Sequence, residues 1–348
     1  MAKGLYIGDI HWSEFSSLLR RMGTDFSMRL ENLINSVNWV EETAEKMGVD
    51  YIIYHGDFFD KPEINANEIK ALNHIWWAHG IEHYFIVGNH ESPMMDLKSS
   101  STHLFNMIPN CKVFNIATKL NIKGDEFLFL PYTKDENKQN LESYGCNKDT
   151  IVISHNDIKG IQYGPIISKN GFNIDDIENN CKIFFNGHIH NGSKFCKNGY
   201  NLGNLTGQNF SEDAFKYKHN IVVYDTITNN IEYVENPYAF NFYILEVNRV
   251  EDLEETLLYR MSNVVMTVKC PENIVNDIKQ IIDKIPGHVK ESRVIAIFDN
   301  SQNINNGINS DEVKELQCVN HIDQFIQYIR ENCEMSQAMV EELEEVCK

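Results

Sequence analysis

Short apolar runs recur along the chain, and each one stops at a polar cluster. Residues 3–7, 51–54, 83–87, 150–154 and 182–185 are four or five residues long, bounded by glycine or polar side chains. Runs this short read as buried strands rather than helices. After the first of them, Leu30, Leu33, Ile34, Val37 and Val40 repeat at helical spacing from Met28. Ser27 is placed to cap that helix and Gly48 to stop it. A second helix is predicted through Ile69, Leu72, Ile75 and Trp76, and a third over 97–107. The resulting β-α-β-α-β order predicts a sheet with helices on its faces. Strands around Val113 and over 127–130 continue that layer. Short strands and turns from Lys194 to Val234, including 221–224 and 231–234, suggest the second sheet of a sandwich. The expected fold class is therefore α/β, a two-sheet α/β/β/α sandwich.

A boundary is expected at Asn236-Pro237, which makes 1–236 the main domain. Residues 237–299 read as a small α/β cap domain, with strands at 242–247, 264–268 and 293–298 and helices at 253–261 and 275–285. Residues 300–310 contain five Asn and one Gly and read as a linker. The segment 311–348 carries ten acidic and three basic residues. Its apolar positions, Ile322, Phe325, Ile326, Ile329 and then Met339, Val340, Leu343, Val346, predict two amphipathic helices suited to docking.

Composition changes this picture in three ways. The chain has 348 residues, 42% hydrophobic and 23% charged, an ordinary globular balance. No apolar run is long enough to span a membrane, and the chain opens into a strand rather than a signal sequence. Eight cysteines without a C-x-x-C pair suggest reduced thiols and a cytoplasmic setting. A net charge of −19 argues against a generally basic nucleic-acid binder. An anionic substrate would need a local positive feature such as a metal, or a partner. Lys216, Lys218 and His219 form the one notable basic cluster, better read as solvated charge than as a phosphate contact. Trp76-Trp77, expected on the second helix, reads as core or interface.

The candidate chemistry lies in the polar clusters that end the strands. Asp9, His11, Asp57, Asn89, His155, His188 and His190 are seven N- and O-donor side chains at or just after strand ends. Parallel strands place those ends on one edge of a sheet, so the seven can converge. They suffice for two cations sharing one carboxylate. His55, next to this set, is a candidate to support a ligand.

These residues carry a family resemblance. Asp9-x-His11, Gly56-Asp57-x-x-Asp60, Gly88-Asn89-His90-Glu91, His155 and Gly187-His188-x-His190 resemble, in order, the five motifs of calcineurin-like metallophosphoesterases. Gly56-Asp57-Phe58-Phe59-Asp60, Asn201-Leu202-Gly203-Asn204 and Asn209-Phe210-Ser211-Glu212 look like the nuclease branch, which holds SbcD-type subunits and tailed-phage recombination endonuclease subunits. The likeness covers roughly residues 3–235. Glu91, where the family often has Asp, and Trp12-Ser13, where it usually has Leu-Gly, depart from the pattern. The resemblance implies one metal held by Asp9, His11, Asp57 and His190. It implies a second held by Asp57, Asn89, His155 and His188, both ions being manganese. His90 would protonate the leaving oxygen and Asp60 would orient His90. It also implies a DNA exo- or endonuclease acting in recombination or repair. A coiled-coil ATPase of the SbcC type would bind 311–348, and a homodimer is compatible with this reading. A phosphomonoesterase or cyclic-nucleotide phosphodiesterase of the same fold is the enzymatic alternative. A metal-free scaffold is the non-enzymatic one.

Overall fold

The structure, a computed structural model, describes residues 2–16, 19, 23–163, 166–257, 263–284 and 289–297. In chain order its first elements are β1 (Lys3–Ile7), α1 (Met28–Met47), β2 (Tyr51–Tyr54), α2 (Ala66–Leu72), β3 (Glu82–Ile86) and β4 (Cys111–Phe114). There follow β5 (Thr118–Ile122), β6 (Asp125–Leu130), β7 (Ile151–Ser154), the hairpin strands β8 (Gln162–Tyr163) and β9 (Ile166–Ile167), α3 (Ile174–Asn180) and β10 (Ile183–Asn186). The next four strands are β11 (Ser193–Lys194), β12 (Gly199–Asn201), β13 (Asn220–Asp225) and β14 (Asn230–Glu235).

Two six-stranded sheets face each other, ordered β14-β13-β1-β2-β3-β4 and β11-β12-β10-β7-β6-β5. In the first, β1 to β4 run parallel. In the second, β6, β7, β10 and β12 do. Side chains alternate across each strand, so neighbours in one run serve different layers. Leu5 and Ile7 pack outward onto Leu30, Leu33, Val37 and Val40 of α1. Tyr6 points the other way, into the core shared with Phe127, Ile153 and Phe185 of the second sheet. Leu128, Val152 and Phe184 cover that sheet's outer face with Ile177 of α3. The layers are thus α/β/β/α.

Helix α1 begins where Ser27 Oγ accepts from Leu30 N, and ends at Gly48 in the left-handed region with φ 61°. Four expectations need correction, the first being that the strand at 127–130 continues the first layer: it is β6 and lies in the second sheet, paired with β7. The second helix stops at Leu72 because Asn38 captures the chain beyond it: its side chain donates to His74 O and accepts from Trp76 N. Trp76 is consequently exposed off the helix, while Trp77 packs against Phe85 and Phe105. Residues 97–107 form 3-10 turns rather than an α-helix, since Asp96 and Ser100 side chains accept the N–H groups of Lys98 and Thr102. The strands at 221–224 and 231–234 do not complete the second sheet. They return to the first, with β13 pairing antiparallel to β1.

After Pro237 come β15 (Asn241–Glu246), α4 (Val250–Leu257), β16 (Val264–Pro271), α5 (Val275–Asp283) and β17 (Val289–Ile297), whose strands form a three-stranded sheet. Leu245, Leu253, Met266, Val268, Ile278 and Ile282 give it an apolar cluster of its own. Phe240, Phe242 and Val265 pack against Leu19 instead. Backbone bonds from Gly207 N to Phe240 O and from Ala214 N to Phe242 O, each 3.1 Å, join the two parts. The expected linker 300–310 and helices 311–348 lie outside the described residues, as do the far ends of the helices expected at 253–261 and 275–285.

Candidate metal centre

Parallel strands from both sheets deliver their C-terminal ends to one place. The loop after β1 brings Asp9 and His11, that after β2 brings Asp57 and Asp60, and that after β3 brings Asn89 and His90. From the facing sheet, β7 brings His155, and β10 brings His188 and His190. Backbone bonds from His11 N to Asp57 O (2.8 Å) and from His90 N to Asp57 Oδ1 (2.9 Å) stitch the first three loops together. His188 N reaches across to Asp9 Oδ1 at 2.9 Å.

The backbone is strained where the donors sit. His11, Asp57 and His188 have φ of 51°, 46° and 72°, a region that side chains other than Gly rarely adopt. Space is equally tight. A Cβ on Gly88 would lie 2.1 Å from Asp57 Oδ1, and one on Gly187 would lie 2.4 Å from His55 O. The glycines in these motifs therefore give the donor loops room to approach one another.

Two donor sets form around the carboxylate of Asp57. Its Oδ2 lies 3.1 Å from His155 Nε2 and 4.0 Å from His11 Nε2. His155 Nε2 is also 3.1 Å from Asn89 Oδ1. On the other side, His11 Nε2 faces His190 Nε2 at 3.1 Å, with Asp9 Oδ2 at 4.0 and 3.8 Å from the two. Among the described residues, Asp9–His11–His190 and Asp57–His155–His188 each bring their donor atoms within 4.8 Å of one another.

These residues fit a pair of cations. The other ring nitrogens are already spoken for: His11 Nδ1 meets Asp60 Oδ1 at 3.0 Å, His190 Nδ1 meets Glu212 Oε1 at 2.9 Å, and His155 Nδ1 bonds to His55 O. With Nδ1 as the donor in each, the Nε2 lone pairs of His11 and His190 point at one another, and only a proton or a cation resolves that. Asp9 Oδ2 is buried without a hydrogen-bond partner. Protons answer the same demand where no cation is counted. Burial opposes charge on His155, but Asp57 and Asp9 overcome it and push its pKa up to about 9. Burial would raise Asp57, yet His155, His11 and His90 hold it far below the usual carboxylate range.

Asp60 faces His11 as well as His90. Its carboxylate makes its shorter contact to His11 Nδ1, while His90 Nδ1 bonds to the Asp60 backbone carbonyl at 3.1 Å and stands 3.6 Å from Oδ1. Hydrogen bonding of the Asp60 carboxylate to the imidazole outweighs burial and, with Asp57, lifts His90 to about 9.

Three further residues support the centre: Glu91 and Glu212, quoted in motifs without a role, and Arg29, which the sequence did not flag. Glu91 is fully buried and accepts from Phe59 N (3.1 Å) and Gly88 N (2.8 Å), clamping the β2 and β3 loops. Burial, then Asp57, raises its pKa to about 7. Glu212 orients His190. Arg29 of α1 is buried beneath the centre and donates to His11 O at 3.1 Å, attracted by Asp60 and Glu212. Glu91 and Glu212 were legible as members of four-residue motifs; the burial of Arg29 cannot be read from spacing. His55 contributes its carbonyl rather than its ring, which burial holds down at about 3. In the basic cluster, Lys216 pairs with Asp213 (3.2 Å), Lys218 pairs with Glu235 (3.6 Å), and His219 is buried on Asn204 O.

Mixed imidazole and carboxylate donors at the shared edge of two facing sheets define a metal-dependent phosphoester hydrolase. The chain belongs to the calcineurin-like phosphoesterase family, whose pattern matches residues 3–192. Exonuclease subunit 1 of Enterobacteria phage T4 is 24% identical over 164 residues, 45% of this chain and 48% of the phage protein. The aligned part thus spans about half the length of that relative. Among the described residues no helix is long and apolar enough to cross a membrane.

Proposed function

We propose that the protein is a two-metal DNA nuclease. The observation that carries this reading is Asp57 Oδ2 standing between two donor sets, at 3.1 Å from His155 Nε2 and 4.0 Å from His11 Nε2. Asp9, His11, Asp57 and His190 would hold one ion, and Asp57, Asn89, His155 and His188 the other. The N/O donor set suits manganese. Such a pair supplies Lewis acidity and an acidified water to a bound phosphodiester, and the positive field that a chain of net charge −19 lacks. Bonding of His90 Nδ1 to Asp60 O leaves its Nε2 as the nitrogen that can give a proton to the leaving oxygen. The similarity to an exonuclease subunit supports a nucleic-acid phosphodiester over a small phosphoester.

A coiled-coil ATPase docking on 311–348 completes this reading, with work in recombination or repair in a bacterial or phage-infected cytoplasm. The described cysteines, all free, suit that reducing setting. Manganese-loaded protein should cut linear duplex and single-stranded DNA, and lose this with chelator. Turnover of small phosphomonoesters alone would favour the alternative enzyme. Deleting 311–348 should abolish the ATPase complex but spare manganese-dependent cleavage; retention of the complex would refute that docking site.

A further inference from the structure

Beside the centre lies a cleft of about 380 Å³ that the two-metal chemistry does not use. It opens past the ends of β4 and β6, on the same edge of the sandwich as the donors. Ile116, Tyr132, Tyr144 and Phe172 give it apolar and aromatic walls, and Thr133 and Lys138 add polar groups. Its volume and lining match small-molecule sites, which run roughly 300–1,000 Å³ with few polar groups.

Tyr132 is the wall common to cleft and centre. Its ring centroid lies 5.3 Å from that of His188 and 6.3 Å from that of His155. It is held rigidly: Tyr132 N donates to Val87 O at 3.0 Å, at the end of the strand that presents Asn89. Thr133 N donates to Asn156 Oδ1 at 2.8 Å, and Asn156 is fully buried next to His155. The cleft wall is therefore built onto the same two strand ends that place the Asn89–His155 half of the centre. Tyr132 thus touches the His155 and His188 rings of that half and is itself a wall of the cleft.

We infer that this cleft is a nucleobase subsite, which takes the base of the nucleotide adjoining the scissile phosphate. The inference rests on the nuclease reading and specifies how that site grips its substrate. Recognition by flat apolar walls is tolerant of base identity, because every base offers a π-face. The subsite would thus hold any terminal or unstacked nucleotide and exclude a base still inside a duplex stack.

The test uses full-length, manganese-loaded protein with two probes, deoxyadenosine monophosphate and inorganic phosphate, titrated calorimetrically. The nucleotide should bind the wild type at least tenfold more tightly than phosphate, in line with the roughly 5–150-fold that stacking contributes. Ile116→Trp, which fills the cleft from an exposed position, and Tyr144→Ala, which strips a wall away from the donors, should each reduce that ratio. They should also lower DNA cleavage more than hydrolysis of bis(p-nitrophenyl) phosphate. Equal binding of both probes by the wild type would overturn the subsite, and so would an unchanged ratio in both variants. If the wild type cuts DNA while the probes bind equally, the nuclease reading stands and only the subsite falls. If it cuts no DNA, the nuclease reading itself fails.

Discussion

Asp57 has no substitute within the centre, because one carboxylate oxygen must serve two donor sets while the other holds His90 N. Asp57→Asn should therefore cost both ions, whereas Asn89→Ala should empty one position and leave the other filled. Metal stoichiometry by elemental analysis decides it, and unchanged content in Asp57→Asn would end the shared-carboxylate account. His90 and Asp60 separate chemistry from metal binding, but less cleanly than the resemblance implied. His90→Ala should keep both ions and slow DNA cleavage about 10²–10⁴-fold, the usual contribution of a positioned acid. Nitrophenyl diester hydrolysis, whose leaving group departs unprotonated, should fall far less. Asp60→Asn removes the negative charge facing His11 Nδ1, so it should weaken metal binding as well. Equal losses for His90→Ala on both substrates would leave that imidazole a positioning role only.

At the scale of elements, α1 does more than cover the sheet. Ser27 fixes its first turn, and two residues later Arg29 reaches the carbonyl of His11. The start of this helix is thus tied to the β1 loop, and fraying there would loosen a ligand. Ser27→Ala should lower unfolding free energy by about 1 kcal/mol, typical of a lost N-cap. Denaturant titration of the metal-loaded protein measures that. The 3-10 turns after Glu91 show the converse, where local side-chain bonds won over helix propensity and kept Phe105 stacked on Phe85 at 4.2 Å.

For the whole molecule, pH and metal content should be linked. Without cations, His155 has a folded pKa near 9, raised above its ordinary 6.5. Its protonation therefore stabilises the metal-free fold fully below about 6.5, and that contribution is lost as pH rises through 9. His55 has the opposite sign. Its folded pKa is near 3, so stability falls as pH drops from about 6.5 toward 3. Chelated protein should thus melt at lower temperature at both ends of the range, and manganese should restore the alkaline side. Manganese binding should also release more protons at pH 7 than at pH 9.5, as ion and proton compete for one nitrogen. Calorimetry in buffers of differing ionisation enthalpy reads this directly; equal release at both pH values would exclude His155 as the competing group.

Sequence alone determined the strands that carry the donors, because a four-residue apolar run ending in glycine and a polar cluster has few other physical solutions. Residues 3–7, 51–54, 151–154 and 183–186 fall within one residue of where the apolar pattern puts them. It also named the donors that the two sheets bring together. Tertiary structure decided what periodicity cannot encode. Which sheet β13 joins depends on a pairing more than two hundred residues away in sequence. Helix α2 ends at Leu72 because an Asn on another helix competes for its backbone. Asp60 bonds His11 as well as His90, and Glu91 and Arg29 matter because they are buried beneath the loops. Local pattern sets which face a residue prefers, but partner choice among buried polar groups is fixed only once the loops are packed and water is excluded.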